Sequence, residues 1–490
     1  VSRIDAATVY KSYSAYLLSQ ERPAREMYRL LRWYYENNGL YERLRHAWPG
    51  VVGTEAMAPL RNPANRVVEF YAAKLWPGEL PDAYEIQTEN EAIIAPIQRI
   101  WSWSHWGVRK QVFARWLAMY GDAFAKIVRS NDGDRVYIQL IEPEYVTDFD
   151  GDERDYLNYI RLDIPRVRRE GDEVTAYTHT EVWSKEDLSY RVWEHDKPVD
   201  TPIERLGRPT VNESNYLTAF GIDFLPFVHC KFRDVGEDRG VSAYGHALDK
   251  LDEANRMMTR LHQMLYRHNG VTWALQANAT DPSGRPLPAP QLDKNSEDQI
   301  ELGGERFLRL PGNAALAPLV PQLQYEAALA IAQDHMLEME RDLPELAYYR
   351  MRENSQTSGR AVRLLLSDAI DRAMEARGNA VSALVRMHQM ALTLGQVAKL
   401  EGFGPAQIGT YETGAFEHSI KLREIVPLNE MERLEALAMK QALNVPTEQL
   451  WKEAGYSEDK IAEMRAMAEA QSSVGERLLR NFETQFGMGA

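Results

Sequence analysis

Few groupings of residues in this sequence could run a reaction. There is no G-x-x-x-x-G-K-[ST] loop to hold nucleotide phosphates. Gly240-Val-Ser-Ala-Tyr-Gly misses the G-x-S-x-G nucleophile elbow, because its second glycine falls one place late. No H-E-x-x-H occurs, and His262 and His268 stand six apart, off one helical face and poorly set to share a metal. Asp148-Phe-Asp-Gly-Asp resembles the opening of a calcium loop. Its glycine has the wrong offset, however, and Tyr159 stands where the closing glutamate belongs, so the run reads as a turn. The single cysteine, Cys230, excludes an intrachain disulfide and a thiolate zinc cluster within one chain. It lies in the apolar run 224–232, which predicts a plain buried thiol and fits a reducing cytoplasm. No enzyme, cofactor or metal is expected.

What remains is charge. The 57 Lys and Arg against 72 Asp and Glu leave a formal net charge of −15, which argues against a protein that grips nucleic acid over its whole surface. Solubility explains such a balance; so does DNA that passes close by and must not adhere. At 490 residues the chain is long enough for about three domain-sized units. No apolar run approaches the roughly 20 residues that cross a bilayer, so no membrane is expected. The N-terminus lacks an apolar signal core, and its start at Val1 suggests processing or trimming.

The elements that must position these charges follow from periodicity. Helical patterns cover 10–41, stopped by Asn37-Asn38-Gly39, then 62–75, ended by Pro77-Gly78, then 92–120 with Trp103, Trp106, Phe113 and Trp116 as a core stripe. After Gly121-Asp122 the period becomes two, predicting short strands at 124–128, 136–141, 156–162, 174–183 and 190–194. One helix is expected over 241–268, about 42 Å long, with a stripe of Tyr244, Ala247, Leu248, Leu251, Ala254, Met258, Leu261 and Leu265. Proline-rich 271–321 has no helical period, and 322–342 is an acidic helix. A polar loop then leads to a very long helix, N-capped by Thr357 or Ser358 and running to about Leu400. A strand at 418–425 and short helices capped near Asn429, Thr447 and Ser457 complete the chain, with a polar, frayed tail from Gln471. Residues 438–456 have the rhythm of a helix-turn-helix. Its second helix, Thr447-Glu-Gln-Leu-Trp-Lys-Glu-Ala, would repel phosphate, so a helical mini-bundle is the better reading.

Several of these stretches, in this order, resemble the portal proteins of tailed bacteriophages of the long-tailed type. They are Tyr34-Tyr35-Glu36-Asn37-Asn38; the run 97–128 with Tyr120-Gly121-Asp122-Ala123-Phe124; and Phe224-Leu-Pro-Phe-Val followed by Gly240 and its helix. Ser358-Gly-Arg-Ala-Val-Arg-Leu-Leu-Leu-Ser-Asp-Ala and Pro427-Leu-Asn-Glu-Met-Glu, with Val445-Pro-Thr447 and Ser457-Glu-Asp459, extend the likeness towards the C-terminus. The resemblance implies an α+β, mainly helical portal fold, assembled as a ring of about twelve copies around a channel for double-stranded DNA. It implies a wing over 1–240 and 358–427, a stem of helices 241–269 and 322–342, a clip at 270–321, a tunnel loop at 343–357 and a crown at 428–490.

On that reading Glu326, Asp334, Glu338 and Asp342 of the second stem helix line the channel, an acidic wall that lets a polyanion slide. In the plainer reading they are a solvated face. Tyr348, Tyr349, Arg350, Arg352, Asn354 and Gln356 of the tunnel loop touch passing DNA, or else the arginines pair with acids of the adjacent subunit. The clip, with Arg285, Lys294, Arg306 and Arg309, would dock the terminase large subunit (the packaging ATPase) and later the head-tail adaptor. The missing P-loop fits that division of labour. Major capsid and scaffolding proteins are further implied partners, and the implied location is the capsid portal vertex of a virion, after assembly in the host cytoplasm. The rival is a non-viral intracellular helical scaffold or regulator with a C-terminal helix-turn-helix.

Overall fold

A computed structural model describes residues 24–47, 58, 60–80, 84–130, 132–152, 156–170, 173–269, 273–277, 283, 299–302, 305–308, 314–318, 325–353, 363–404, 416–425, 437–443, 445–454 and 460–467. The first helices follow their local signals. α1 (Ala24–Glu36) buries Tyr28, Leu30, Leu31 and Tyr34, then turns through Asn37 and Gly39, both at positive φ, into α2 (Leu40–Ala47). α3 (Pro63–Leu75) starts on Asn62, whose side-chain oxygen accepts from the Asn65 N–H, with Pro63 at the first position, where no backbone donor is missed. β1 (Tyr84–Gln87) follows.

The helix expected over 92–120 is broken in two, α4 (Ile94–Trp103) and α5 (Trp106–Tyr120). His105 adopts the left-handed conformation between them. The cause lies outside the helix: buried Ser104 donates to the Ile100 carbonyl and accepts the Ile138 N–H at 2.9 Å, tying the break to a strand. The turn swings Trp106 into the core against Trp76 and Phe113.

The strands come where the period is two, but run longer. β2 (Asp122–Arg129), β3 (Val136–Ile141) and β9 (Phe227–Lys231) form one antiparallel sheet in the order β3-β2-β9. β4 (Val146–Gly151), β5 (Leu157–Glu170), β6 (Glu173–Ser184), β7 (Ser189–His195) and β8 (Val211–Glu213) form a meander. The run 148–152, expected as a turn, is largely strand: Phe149 pairs with Ile160. A short helix α6 (Tyr216–Phe220) precedes β9, on which Cys230 is buried.

Gly121 and Gly240 meet back to back. At Gly121, φ is +85°, and an added Cβ would lie 2.5 Å from the Gly240 carbonyl oxygen. Gly121→Ala is therefore expected to cost roughly 2–3 kcal/mol, from a left-handed backbone plus a steric clash. Chemical denaturation measures this, and unchanged stability would mean the two backbones do not touch. The same contact delays the next helix. Gly240 N–H donates to Asp122, Ala243 N–H to the Ala118 carbonyl and Ser242 to the Met119 carbonyl, so residues 240–243 are spent on α5. α7 (Leu248–Asn269) starts seven residues later than its apolar pattern suggests. Leu248, Leu251 and Ala254 are buried as expected, whereas Leu265 is exposed.

The insertion expected to be irregular contains two antiparallel pairs, β10 (Trp273–Ala277) with β13 (Ala314–Pro318) and β11 (Gln299–Leu302) with β12 (Glu305–Leu308). α8 (Tyr325–Asp342) returns beside α7. The stretch expected as a polar loop holds α9 (Leu346–Glu353). α10 (Ser367–Val397) has 31 residues, shorter than the run to Leu400 predicts, after a helical turn at 363–365. Its predicted caps, Thr357 and Ser358, lie outside the described residues. β14 (Ser419–Leu422) pairs with β1, joining segments more than 330 residues apart. Near the C-terminus, 437–442, α11 (Thr447–Ala454) and 460–467 are helical; the caps expected near Asn429 and Ser457 and the tail from Gln471 lie outside the described residues. One large core joins α1–α5, both sheets, α7 and α10. Val182, Trp193 and Leu206 form a small second cluster on the meander.

Candidate functional site

The charged residues singled out by sequence gather around the α7–α8 pair and the joint that follows it. Lys250, in the first turn of α7, reaches Asp342 at 2.5 Å and Glu338 at 3.5 Å on the last turns of α8, so the helices run antiparallel. The Asp342 hydrogen bond is the leading reason that the lysine holds its proton more tightly than usual. Arg341 also pairs with Glu338 at 2.8 Å. Two of the four acids are thus partly neutralised inside the chain. Glu326 and Asp334 are exposed.

The joint between α8 and α9 sets a buried carboxyl and phenol beside half-buried and exposed groups. The Asp342 carbonyl accepts from the Arg372 guanidinium at 2.9 Å and faces His246 Nε2 at 3.2 Å. Fully buried Glu345 accepts from the Tyr71 hydroxyl and lies 3.9 Å from Arg372. Burial raises its carboxyl above the ordinary range, against the opposing pull of Tyr71.

Tyr348 and Tyr349, two of the residues expected on the tunnel loop, pack on α3. The Tyr348 ring packs edge-on to Phe70 at 5.6 Å with Lys74 over it, and the Tyr349 hydroxyl donates to the Arg66 carbonyl at 2.9 Å. Arg350 and Arg352 fall on α9. Positions two apart on a helix stand about 200° apart round its axis, so one helical face does not carry both. Asn354 and Gln356 lie outside the described residues, as do Arg285, Lys294 and Arg309. Arg306 is on β12, opposite Glu301.

Sequence reasoning missed the anchor of α7. Asp252, fully buried, accepts from both Tyr34 (2.8 and 2.9 Å) and Tyr41 (2.9 Å). Neighbouring Asn255 donates to the Tyr41 hydroxyl and accepts the Arg61 N–H. One signal was present: Asp252 and Asn255 sit beside Leu248, Leu251 and Ala254, where a solvated helix would show no preference for short polar side chains.

A second buried group lies beside a cleft of about 640 Å³ between β9 and α10. Trp101 Nε1–H donates to His388 Nε2 at 2.8 Å, and His388 Nδ1 lies 3.0 Å from His418 Nε2. His418 Nδ1 meets the Phe416 carbonyl at 2.8 Å. Indole nitrogen only donates, so each imidazole must be neutral, with its proton on Nδ1. Among the described residues no three His, Cys, Asp or Glu stand together as a metal site. Nor, among those residues, is any helix long and apolar enough to cross a membrane. This arrangement positions helices and charges.

A family model described as phage portal protein, SPP1 Gp6-like, matches residues 80–476. No curated protein matches the chain. Among solved structures, the chain is similar to the neck of a native GTA particle computed with C12 symmetry. Identity there is 14% and the TM-score 0.41, over 80% of this chain and 89% of that one. For the neck of the empty GTA particle computed with C6 symmetry, the figures are 13%, 0.42, 77% and 85%. For the virion of a native gene transfer agent particle they are 12%, 0.40, 87% and 88%.

The family match covers far more than half of the chain, and its fold is a portal-like mixture of helix and sheet. The chain belongs to the phage portal protein family of the SPP1 Gp6-like type. Its function is that of a portal, the head-to-tail connector at the capsid vertex, and the non-viral scaffold reading falls away.

Proposed function

We propose that about twelve copies close into a ring whose bore passes double-stranded DNA during packaging and ejection, with no sequence preference. In this reading the body is the wing, α7 and α8 are the stem, 270–321 is the clip, 343–357 lines the tunnel and 428–490 is the crown. Family membership supports the ring. The single observation that carries the channel is the exposed acid of α8, Glu326 and Asp334, left over after Lys250 has taken Glu338 and Asp342. DNA carries about one charge per 1.7 Å, and each fixed cation that touches it releases counterions and binds. An acidic wall avoids such minima.

The clip is where the terminase large subunit and later the head-tail adaptor dock, and the wing meets the major capsid and scaffolding proteins. Force comes from the terminase, so the portal itself need not be an enzyme. Light scattering should give a mass near a dozen times 56.1 kDa, and negative-stain images a ring with a central opening. Particles without an opening would end the proposal.

α9 gives a sharper test. Replacing both Arg350 and Arg352 with Ala should alter packaged DNA length or retention by a measurable fraction, because whichever of the two stands on the tunnel side of α9 is then lost from every copy. The readout is genome length in filled heads. Unchanged length and retention would take this segment out of the mechanism.

A further inference from the structure

The hairpin of β5 and β6 outruns its sheet. β4 stops pairing with β5 at Leu162, and β7 stops pairing with β6 at Thr178, yet β5 and β6 stay paired as far as Glu170 and Glu173. The remainder is a free two-stranded ribbon about 20 Å long at 3.3 Å per residue. Directly opposed residues share a face, so Pro165, Val167, Arg169, Val174 and Ala176 lie on one side. Lower on that side sits the small cluster of Val182, Trp193 and Leu206. It is a core-type face that runs out of cover: Val167 is 60% exposed and Val174 61%. Arg168, on the other side, is already held by Glu194 and the Tyr177 ring.

A surface of matching character lies elsewhere on the same chain. Around the start of α10, Leu364, Leu365 and Met374 are 77%, 58% and 60% exposed. Asp368, Asp371 and Glu375 are exposed among them. Asp368, Asp371 and Glu375 follow the three- and four-residue spacing of one face of α10, and Leu364 lies on the turn just before it. This patch has a leucine and three carboxyls; the described positions of the ribbon face from Pro165 outward have apolar groups, one guanidinium and no acid. Two different patches that fit one another on identical chains make a head-to-tail contact, the kind that builds a ring when the rotation from copy to copy closes.

We propose that the β5–β6 ribbon of one copy docks on the start of α10 of the next, with Arg169 set against the Asp368–Asp371 pair. The proposal rests on the ring reading above. Its test uses the full chain carrying Val174→Cys and Met374→Cys, oxidised after ring formation. The expected result is a covalent ladder at multiples of 56.1 kDa on a non-reducing gel, absent from either single variant and collapsed by a thiol reductant. Rings in negative stain without a ladder overturn the docking and leave the ring reading standing. An unsubstituted chain that makes no ring removes both. A dimer band from Val174→Cys alone would mean that ribbons pair with each other, and overturns the docking too. Independently, Arg169→Glu should cut the ring fraction several-fold, and Arg169→Glu with Asp371→Arg should recover it. An unchanged fraction in the first variant counts against the contact.

Discussion

Asp252→Ala is expected to lower stability by roughly 3–5 kcal/mol, because it strips the acceptor from two buried phenols at once. Tyr34 and Tyr41 both donate to that carboxyl from the opening helices, and Asn255, one turn further along α7, adds a donor to the Tyr41 hydroxyl. A buried donor left without a partner keeps its full desolvation cost, about 1–3 kcal/mol each. Tyr41→Phe should cost far less, about 1 kcal/mol, since Asp252 keeps Tyr34. The Tyr41 hydroxyl is itself held far from ionisation, by burial first and the nearby carboxyl second. Thermal unfolding should show a fall of roughly 3–5 °C for Asp252→Ala in a chain of this length. If that variant melts with the unsubstituted chain, α7 is not anchored through these tyrosines.

Acid should weaken the protein through the His388–His418 pair. Protonating His388 would set its Nε2–H against the Trp101 N–H, and protonating His418 would set two donors face to face. Burial lowers the proton affinity of both. The neighbouring imidazole lowers that of His388 further, and the Phe416 carbonyl partly offsets the effect in His418. Around the cleft, β9 and the loop after it bring His229, Lys231 and Asp234, α10 brings Arg386, and Tyr156 closes one side.

Because both folded values lie below the unfolded one, near 6.5, stability is level above that pH. It declines as pH drops beneath it, when the unfolded chain takes up protons that the folded chain refuses. The slope is at most about 1.4 kcal/mol per pH unit for each histidine. Urea midpoints at pH 7.5 and 5 measure the loss. His388→Gln with His418→Gln should flatten the difference, even if the doubly substituted chain is less stable throughout. Equal slopes in the two proteins would show that the pair does not stay neutral.

Much of the local structure is legible in the residues. Asn62-Pro63 marks a helix start, Asn37 and Gly39 a turn, and the change to a two-residue period at Asp122 the first sheet. The acid of 322–342 falls on a helix, α8, as its composition suggests. Other expectations failed for one common reason, a partner distant in sequence. Ser104 breaks a helix because Ile138 needs an acceptor. The 241–268 pattern begins late because Gly240 to Ala243 bond to α5 and Asp122. Tyr348 and Tyr349, read as loop residues, find Phe70 and Arg66.

By itself the order of residues determined the periods, the charge balance and the family likeness, all of which depend on neighbours within a few positions or on simple sums. Tertiary structure alone decided which acids of α8 pair with Lys250, where α7 is anchored, and that β1 finds β14. Periodicity says which face of an element turns inward but not what it will meet there. That choice belongs to contacts between segments hundreds of residues apart, where one lysine or one buried carboxyl changes what the surface presents.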